Sequence, residues 1–473
     1  MNKKETQKTI PRPSSSAQLV NFLAVTTEHD LSSHLFTRAK DLLIDHLGVA
    51  YCGLHLPWSK MICARAVADG GPPESTIYGH GRVGARNASL ANATMAHALE
   101  LDDTHIPSLS HMSTVIFPAA LAIAESRHAS GKEFLTAYIL GAEAMGRIGR
   151  AAGQSLINGA FHPTSTSGVF GAAAAAAKLL KLDAHGIEAA FGLAASMASG
   201  VMQFSLESEG TMVKRLHAGL PAHHGVLAAL LAADGFSGPS GAIDGERGFL
   251  KAFARHTNSA SIAQDLGGVF MIEDVSFKLN ACCLHFATLI DSLNECRAAC
   301  DFPVDQIEAI QVHGPKALLS GHMEYRPKSM MAAQYSLPFV TAVTLLLDPR
   351  SPISYNEQAM NSPEVLAMAD RVTAFEDADL EKLFPARFPA RTKVIYKGGK
   401  VLESHTLDPL GSSVRPLQRP DIIAKFRALN QDILPLSFQN DLLAAIDEIE
   451  VKDGLKRLSD LLNVKQVPAP PVT

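Results

Sequence analysis

Charge of either sign is scarce in this chain of 473 residues: Lys and Arg total 42, Asp and Glu 47, and the net charge is −5. No cluster of Lys and Arg forms the positive footprint that a nucleic acid requires, so an anionic ligand has to be held by local positive charge. Cysteine is also sparse. The six residues Cys52, Cys63, Cys282, Cys283, Cys296 and Cys300 have neither the density nor the spacing of a disulfide scaffold, and none forms a Cys-x-x-Cys pair. A reducing, cytoplasmic setting fits that usage. The alanine-rich apolar stretches are broken by Gly, Ser, Lys or His before the roughly 18–20 residues of a membrane span. Met1-Asn2-Lys3-Lys4-Glu5 leads into Pro11, Pro13 and Ser14 instead of an apolar segment, which argues against a secretory signal. No repeat of fixed period is visible, which argues against a solenoid.

Apolar residues make up 47% of the chain, enough for large cores, and the length predicts two or three domains. Residues 1–15 read as a flexible tail. From 16 to 270 helical patterns dominate, at 35–47, 91–101, 118–128, 132–153, 169–182, 185–200 and 222–234, with apolar positions three or four apart. The run Ala172 to Ala177 suits a helix buried on most sides, because side chains this small let helices approach closely. From 271 to 408 the texture is mixed α/β. Residues 307–313 and 392–397 alternate like strands, and Lys397-Gly398-Gly399-Lys400 is a hairpin signal. Helical pattern returns within 409–473, at 421–429 and 440–462, before a proline-bearing tail from Val467. The expected fold is mainly α, a helical domain interrupted by a smaller α/β insert.

Four polar elements interrupt the apolar pattern. Glu100-Leu101-Asp102-Asp103-Thr104-His105, with His111 downstream, crowds proton carriers and acceptors into a dozen residues before Pro118. Catalytic groups are readily presented at helix ends and the loops after them. The same residues also read as a helix cap with solvated histidines. A divalent metal is a weaker reading, since no His-x-x-x-His or His-Glu-x-x-His pattern accompanies them, and no metal is expected. His162-Pro163-Thr164-Ser165-Thr166-Ser167 feeds the alanine-rich run, offering hydroxyls and N–H groups at a helix N-terminus, where a carboxylate binds well. Taken alone it is a capping turn with an incidental histidine. Met212-Val213-Lys214-Arg215-Leu216-His217 puts cations in apolar surroundings, with a carboxylate clamp and an ordinary surface lysine as the two readings of Lys214. Phe277-Lys278, Cys282-Cys283 and His285 lie where the helical texture gives way, and there small buried thiols and a core histidine are the bland reading.

In this order and at these intervals the four elements resemble the MmgE/PrpD family. Gly79-His80-Gly81 before them and Gln334-Tyr335-Ser336-Leu337-Pro338 after them extend the resemblance over most of the chain. The family includes 2-methylcitrate dehydratases, cis-aconitate decarboxylases and iminodisuccinate epimerases. The resemblance implies a large helical domain built from both chain ends, a smaller α/β lid domain, a homodimer, and a cofactor-free active site in the cleft between domains. It places catalytic or substrate-contacting groups at the positions of Glu100, Thr104, His111, His162, Lys214 and His285. Some members carry Asp in place of Glu100, and around His285 the offset from Lys278 varies. The interval from Thr104 to His111 and the segments Leu56-Pro57-Trp58-Ser59-Lys60 and Leu461-Leu462-Asn463 are most similar to the fungal-type cis-aconitate decarboxylases.

The expectation is therefore a lyase acting on a small di- or tricarboxylate. Lys214, with Thr164, Ser165 and Lys278, clamps carboxylates, and Glu100 and Thr104 contact substrate. His111, His162 and His285 carry protons, while Asp102 and Asp103 orient a histidine or shape the pocket. Neither nucleic acid nor membrane is expected as a partner. Dehydration and epimerisation start from the same proton abstraction and stay open. A non-catalytic helical scaffold is the alternative from another class, and it predicts that His111, His162, Lys214 and His285 are dispersed.

Overall fold

The computed structural model describes residues 13–207, 210–299 and 303–465. The chain is mainly α, with a few small sheets. One apolar core draws on residues 19–277 and again on residues 422–462, so both ends of the chain contribute to it. A second core is built from residues 281–396, joined by Val49, Ala98, Leu99 and Leu101. The acidic stretch thus lies where the two cores meet.

The first core is organised around the helix Pro163–Leu179, which packs between Gly131–Ala152 and Val213–Ala233. Its alanine run is buried throughout, as the composition predicts. The approach is backbone to backbone: a Cβ on Gly225 would stand 2.4 Å from Ala172 Cβ and 2.6 Å from Ala173 N. Among the described residues Val213–Ala233 is the one helix long and apolar enough to cross a membrane; here it is a core helix whose first turn carries Lys214 and Arg215. In the second core, strands Val372–Glu376, Ile307–Gly314, Ala390–Tyr396 and Val401–Thr406 lie side by side in that order. The first pair is parallel and the others antiparallel. The predicted hairpin sits at the last pair: Gly399 N–H donates to the Tyr396 carbonyl at 3.0 Å, and Gly398 and Gly399 take φ 88 and 85, a region that glycine enters without steric cost.

Several helix limits differ from the periodicity. The pattern over 91–101 ends in a helix Ala85–Ala96, because the chain turns sharply and Glu100 takes φ 58. The apolar residues beyond the helix, Ala98, Leu99 and Leu101, serve the second core instead. The helix expected from 169 starts at Pro163, whose fixed φ and missing N–H suit a first helical position. The one expected from 222 starts at Val213. The pattern over 440–462 is two helices, Leu436–Asp447 and Gly454–Leu462, separated where Asp453 takes φ 62. Of the expected N-terminal tail, residues 1–12 lie outside the described residues, and the helix Ser15–Val25 begins within its last residue. Cys300 and the proline-bearing tail from Val467 also lie outside them.

Replacing Gly225 by valine forces side-chain atoms into the Pro163–Leu179 backbone. Overpacking of this kind costs about 1–3 kcal/mol. Gly225→Val should lower the thermal unfolding midpoint by several degrees, whereas an unchanged midpoint would mean the helices are not in backbone contact.

Candidate active site

Three separate segments converge on the carboxylate of Glu100. Lys214 Nζ and Arg215 Nη1 both donate to its Oε1, the latter at 2.6 Å. Lys278 Nζ stands 3.9 Å from Oε2, and the Tyr335 hydroxyl donates to Oε2 at 3.3 Å. Gln334 ties the group together: its Nε2 donates to the Leu99 and Ala281 carbonyls, both at 2.9 Å, while Arg215 Nη2 lies 3.4 Å from its Oε1. Burial by itself would raise the Glu100 pKa, but Lys214, Arg215 and Lys278 hold it well below the usual carboxylate range. Burial lowers the Lys214 pKa despite the partial compensation from Glu100. Three cations around one carboxylate leave positive charge in excess, in a place where water cannot screen it.

Beside this pole is a group of imidazoles. Asp102 Oδ2 lies 2.7 Å from His97 Nδ1 and 3.2 Å from His111 Nδ1. His111 Nδ1 is also 2.7 Å from the Asp103 carbonyl. A carbonyl only accepts, so His111 carries its proton on Nδ1 and turns the lone pair of Nε2 outward from these partners. The His97 ring centre is 5.0 Å from that of His111 and 5.9 Å from that of His162. His162 in turn meets His217, Nδ1 to Nδ1, at 3.1 Å. Among the buried polar atoms without a protein partner in the described residues are His97 Nε2, Asp102 Oδ1 and Ser165 Oγ. Unmet buried groups of this kind call for a ligand or water.

Burial pushes the His111 pKa down to about 4 against the opposing pull of Asp102, and burial together with Lys214 and the neighbouring rings holds that of His162 well below its ordinary value. Both rings are therefore neutral at pH 7. Burial opposes ionisation of Asp102, but His111 and His97 outweigh it and hold the carboxyl below its usual range. Asp103 goes the other way, raised to about 7 by burial and secondarily by Asp102 and Asp45.

Asp103 meets His111 through its backbone carbonyl and not through its side chain. Its carboxylate accepts from Ser113 N at 3.2 Å and Ser113 Oγ at 2.7 Å, capping the helix Ser113–Ser126, and its carbonyl orients His111. Of the Thr164 to Ser167 hydroxyls, only Ser165 is uncommitted. Thr164 Oγ1 accepts from His111 N at 3.1 Å, and Thr166 and Ser167 donate back to the carbonyls of His162 and Pro163. Thr104 Oγ1 lies 3.4 Å from His111 Nδ1. His285 stands apart from the imidazole group. Its Nδ1 donates to the Ala317 carbonyl at 3.1 Å, and its ring packs on His322, Phe384 and Phe388. His322 in turn reaches toward the charged pole, with its ring centre 6.0 Å from that of Tyr335. His111, His162 and Lys214 therefore converge, and His285 does not join them directly.

His97, Arg215, His217 and Tyr335 belong to the site although motif reasoning gives them no role. His217 had a signal, since it follows Lys214 by three residues, one helical turn along the same face. His97 had none, because its pairing with Asp102 exists only once the chain turns at Glu100. The donor atoms of His97, Asp102 and His111 lie within 4.8 Å of one another, which are the ligand types of a divalent metal. Both Nδ1 atoms are engaged by oxygen acceptors at 2.7 Å, so the Nε2 lone pairs are the ones that face a ligand.

The segments that frame this site match two family models, the MmgE/PrpD N-terminal domain over residues 17–261 and the MmgE/PrpD C-terminal domain over residues 281–450. The chain belongs to the MmgE/PrpD family. Curated relatives include a cis-aconitate decarboxylase of Aspergillus terreus, 26% identical with 94% of each chain covered. A cis-aconitate decarboxylase-like protein of Aspergillus oryzae is 28% identical, covering 95% of this chain and 98% of that one. The cis-aconitate decarboxylase of Homo sapiens is 27% identical, covering 93% and 92%.

The buried neutral histidines set a pH dependence of stability. His46 and His105 are pushed down to about 3, His111 and His217 to about 4, all chiefly by burial. Between pH 6.5 and 4 the unfolded chain therefore binds more protons at these rings, and stability falls as pH falls, by about 1.4 kcal/mol per pH unit for each proton. Asp103, Asp45, Glu125 and Glu143, raised in the fold by burial, oppose over part of the same window, while His97, His162 and His285, also lowered by burial, add to the histidine side. The thermal midpoint should drop steadily from pH 7 to pH 4.5; a flat or rising midpoint would contradict neutral buried rings.

Proposed function

We propose that the protein is a cofactor-independent lyase that decarboxylates a small tricarboxylate of the cis-aconitate type. The observation that carries this reading is the pairing of excess buried positive charge at Lys214, Arg215 and Lys278 with adjacent uncharged imidazoles and an uncommitted Ser165 hydroxyl. The names of the relatives support the same reaction. When a C–CO2 bond breaks, its electron pair stays on carbon and spreads into a neighbouring carboxylate. Fixed cations beside that carboxylate stabilise the charge as it develops, without having to reorganise.

In this reading Lys214 and Lys278 hold the substrate carboxylates, with Glu100 and Arg215 fixing Lys214, and Ser165 donates a hydrogen bond. His162 delivers the proton that replaces CO2. Asp102 orients His97 and His111, as a carboxylate orients a catalytic imidazole elsewhere. His285 is assigned no direct part in the chemistry. Lys214, Arg215, Lys278 and Glu100 are all buried, so substrate entry requires the segment 281–396, which brings Gln334 and Tyr335, to part from the helical core. This supports a role for it as a lid.

A second reading has one observation in its favour. The fixed His111 tautomer presents a base, which dehydration or epimerisation of a substituted succinate would use first. Incubation with cis-aconitate, 2-methylcitrate, citrate and substituted succinates, followed by NMR, separates CO2 release from water loss and inversion. CO2 release from cis-aconitate is expected, and its absence with turnover of another acid would overturn the decarboxylase reading. His162→Ala and Lys214→Ala should each lower kcat by about 100-fold or more while the protein stays folded. Dialysis against a chelator should leave turnover unchanged; a loss restored by Zn2+ would contradict cofactor independence.

A further inference from the structure

Decarboxylation takes up one proton for each CO2 released, and a buried site has to obtain it. His162 is poorly placed to store that proton as an imidazolium. Its ring is more than nine-tenths buried, and burial together with Lys214, His217, His97 and His111 disfavours the charged form. A neutral imidazole that simply gives up its N–H becomes an imidazolate, which is far too basic to form at neutral pH. It can donate at one nitrogen only if the other is protonated in the same event.

The structure supplies a partner for that second nitrogen. His162 Nδ1 faces His217 Nδ1 at 3.1 Å, with ring centres 5.2 Å apart. Two neutral rings in this arrangement hold one proton between them, so one donates and the other accepts. Phe204 packs edge-on to both rings, at 5.6 Å from His162 and 5.2 Å from His217, which keeps water off the shared proton. His162 points toward His97 and His111. His217 is itself buried, but it lies one helical turn from the 43% exposed Val213 and packs on Phe204, in the short segment that also carries the exposed Val201 and Leu206.

We propose that His217 is a positioning residue that relays protons through His162, an inference that rests on the decarboxylase reading. His162 Nε2–H breaks as the new C–H bond forms on the substrate carbanion. The proton on His217 Nδ1 passes to His162 Nδ1, and His217 takes one from solvent at Nε2. Both rings stay neutral and exchange tautomers. When product leaves and water re-enters, the reverse shuffle restores the starting pair, so each turnover moves one solvent proton to product. His217 never touches the substrate and acts only through His162.

The test separates a relay from a spacer. In His217→Gln the amide can still hydrogen-bond His162 Nδ1 but cannot hand over and regain a proton. The relay predicts kcat reduced at least 100-fold with KM changed less than threefold, and a solvent deuterium isotope effect on kcat larger than in the unsubstituted enzyme. Added imidazole should restore at least tenfold of the activity lost in His217→Gly, which also covers the case in which the glutamine variant fails to fold. Near-normal kcat in folded His217→Gln, or no rescue of folded His217→Gly, overturns the relay. An independent readout needs no substrate: in the 15N-histidine-labelled resting protein, one proton should correlate with the Nδ1 atoms of both His162 and His217. Protonation of both rings at Nε2 alone overturns the proposal, even if the wild-type protein decarboxylates no acid in the panel.

Discussion

The buried carboxylate of Glu100 is the constraint on which the site depends. Without it, Lys214, Arg215 and Lys278 would be close, desolvated like charges, and the segments that carry them would repel. With it, the first turn of Val213–Ala233 and the start of the second core are drawn to one point. The left-handed backbone at Glu100 belongs to the same arrangement: the turn ends the helix at Ala96 and aims the carboxylate at the cations. It also delivers Asp102 to His97 and His111. Lys425 reinforces the turn from the far end of the chain, donating to the Leu101 carbonyl at 2.8 Å and to Asp45 at 2.6 Å.

Burial then divides the labour within the site. The three cations share one carboxylate, Glu100, whereas the imidazoles have no anion beyond Asp102 and remain neutral. A site that keeps its positive charge fixed and its proton carriers uncharged favours a polyanion without trapping protons before the substrate arrives. An incoming polycarboxylate changes that balance, because nearby negative charge favours the protonated form of a histidine.

Much of this was legible in the sequence, for identifiable reasons. Helices stood out wherever apolar residues recur at helical spacing, and the hairpin at Gly398 and Gly399 was marked by a turn that glycine favours. The convergence of His111, His162 and Lys214 followed from the ordered motifs and the family they resemble. What periodicity could not reach were features created by tertiary contact. The helix expected through Leu101 stops early because Ala98, Leu99 and Leu101 serve the second core. The Asp103 carboxylate is spent on a helix cap. His285, adjacent in sequence to a motif, is held away by an aromatic cage.

The central claim is that the cations around Glu100 recognise substrate by its carboxylates. Calorimetric titration with tricarballylate, the saturated analogue of cis-aconitate, and with glutarate, which lacks one carboxylate, tests it most directly. The account predicts that losing the carboxylate weakens binding at least tenfold, about 1.4 kcal/mol, and that Lys214→Met removes most of the difference. Equal affinity for the two acids, or a difference that survives in Lys214→Met, would contradict it.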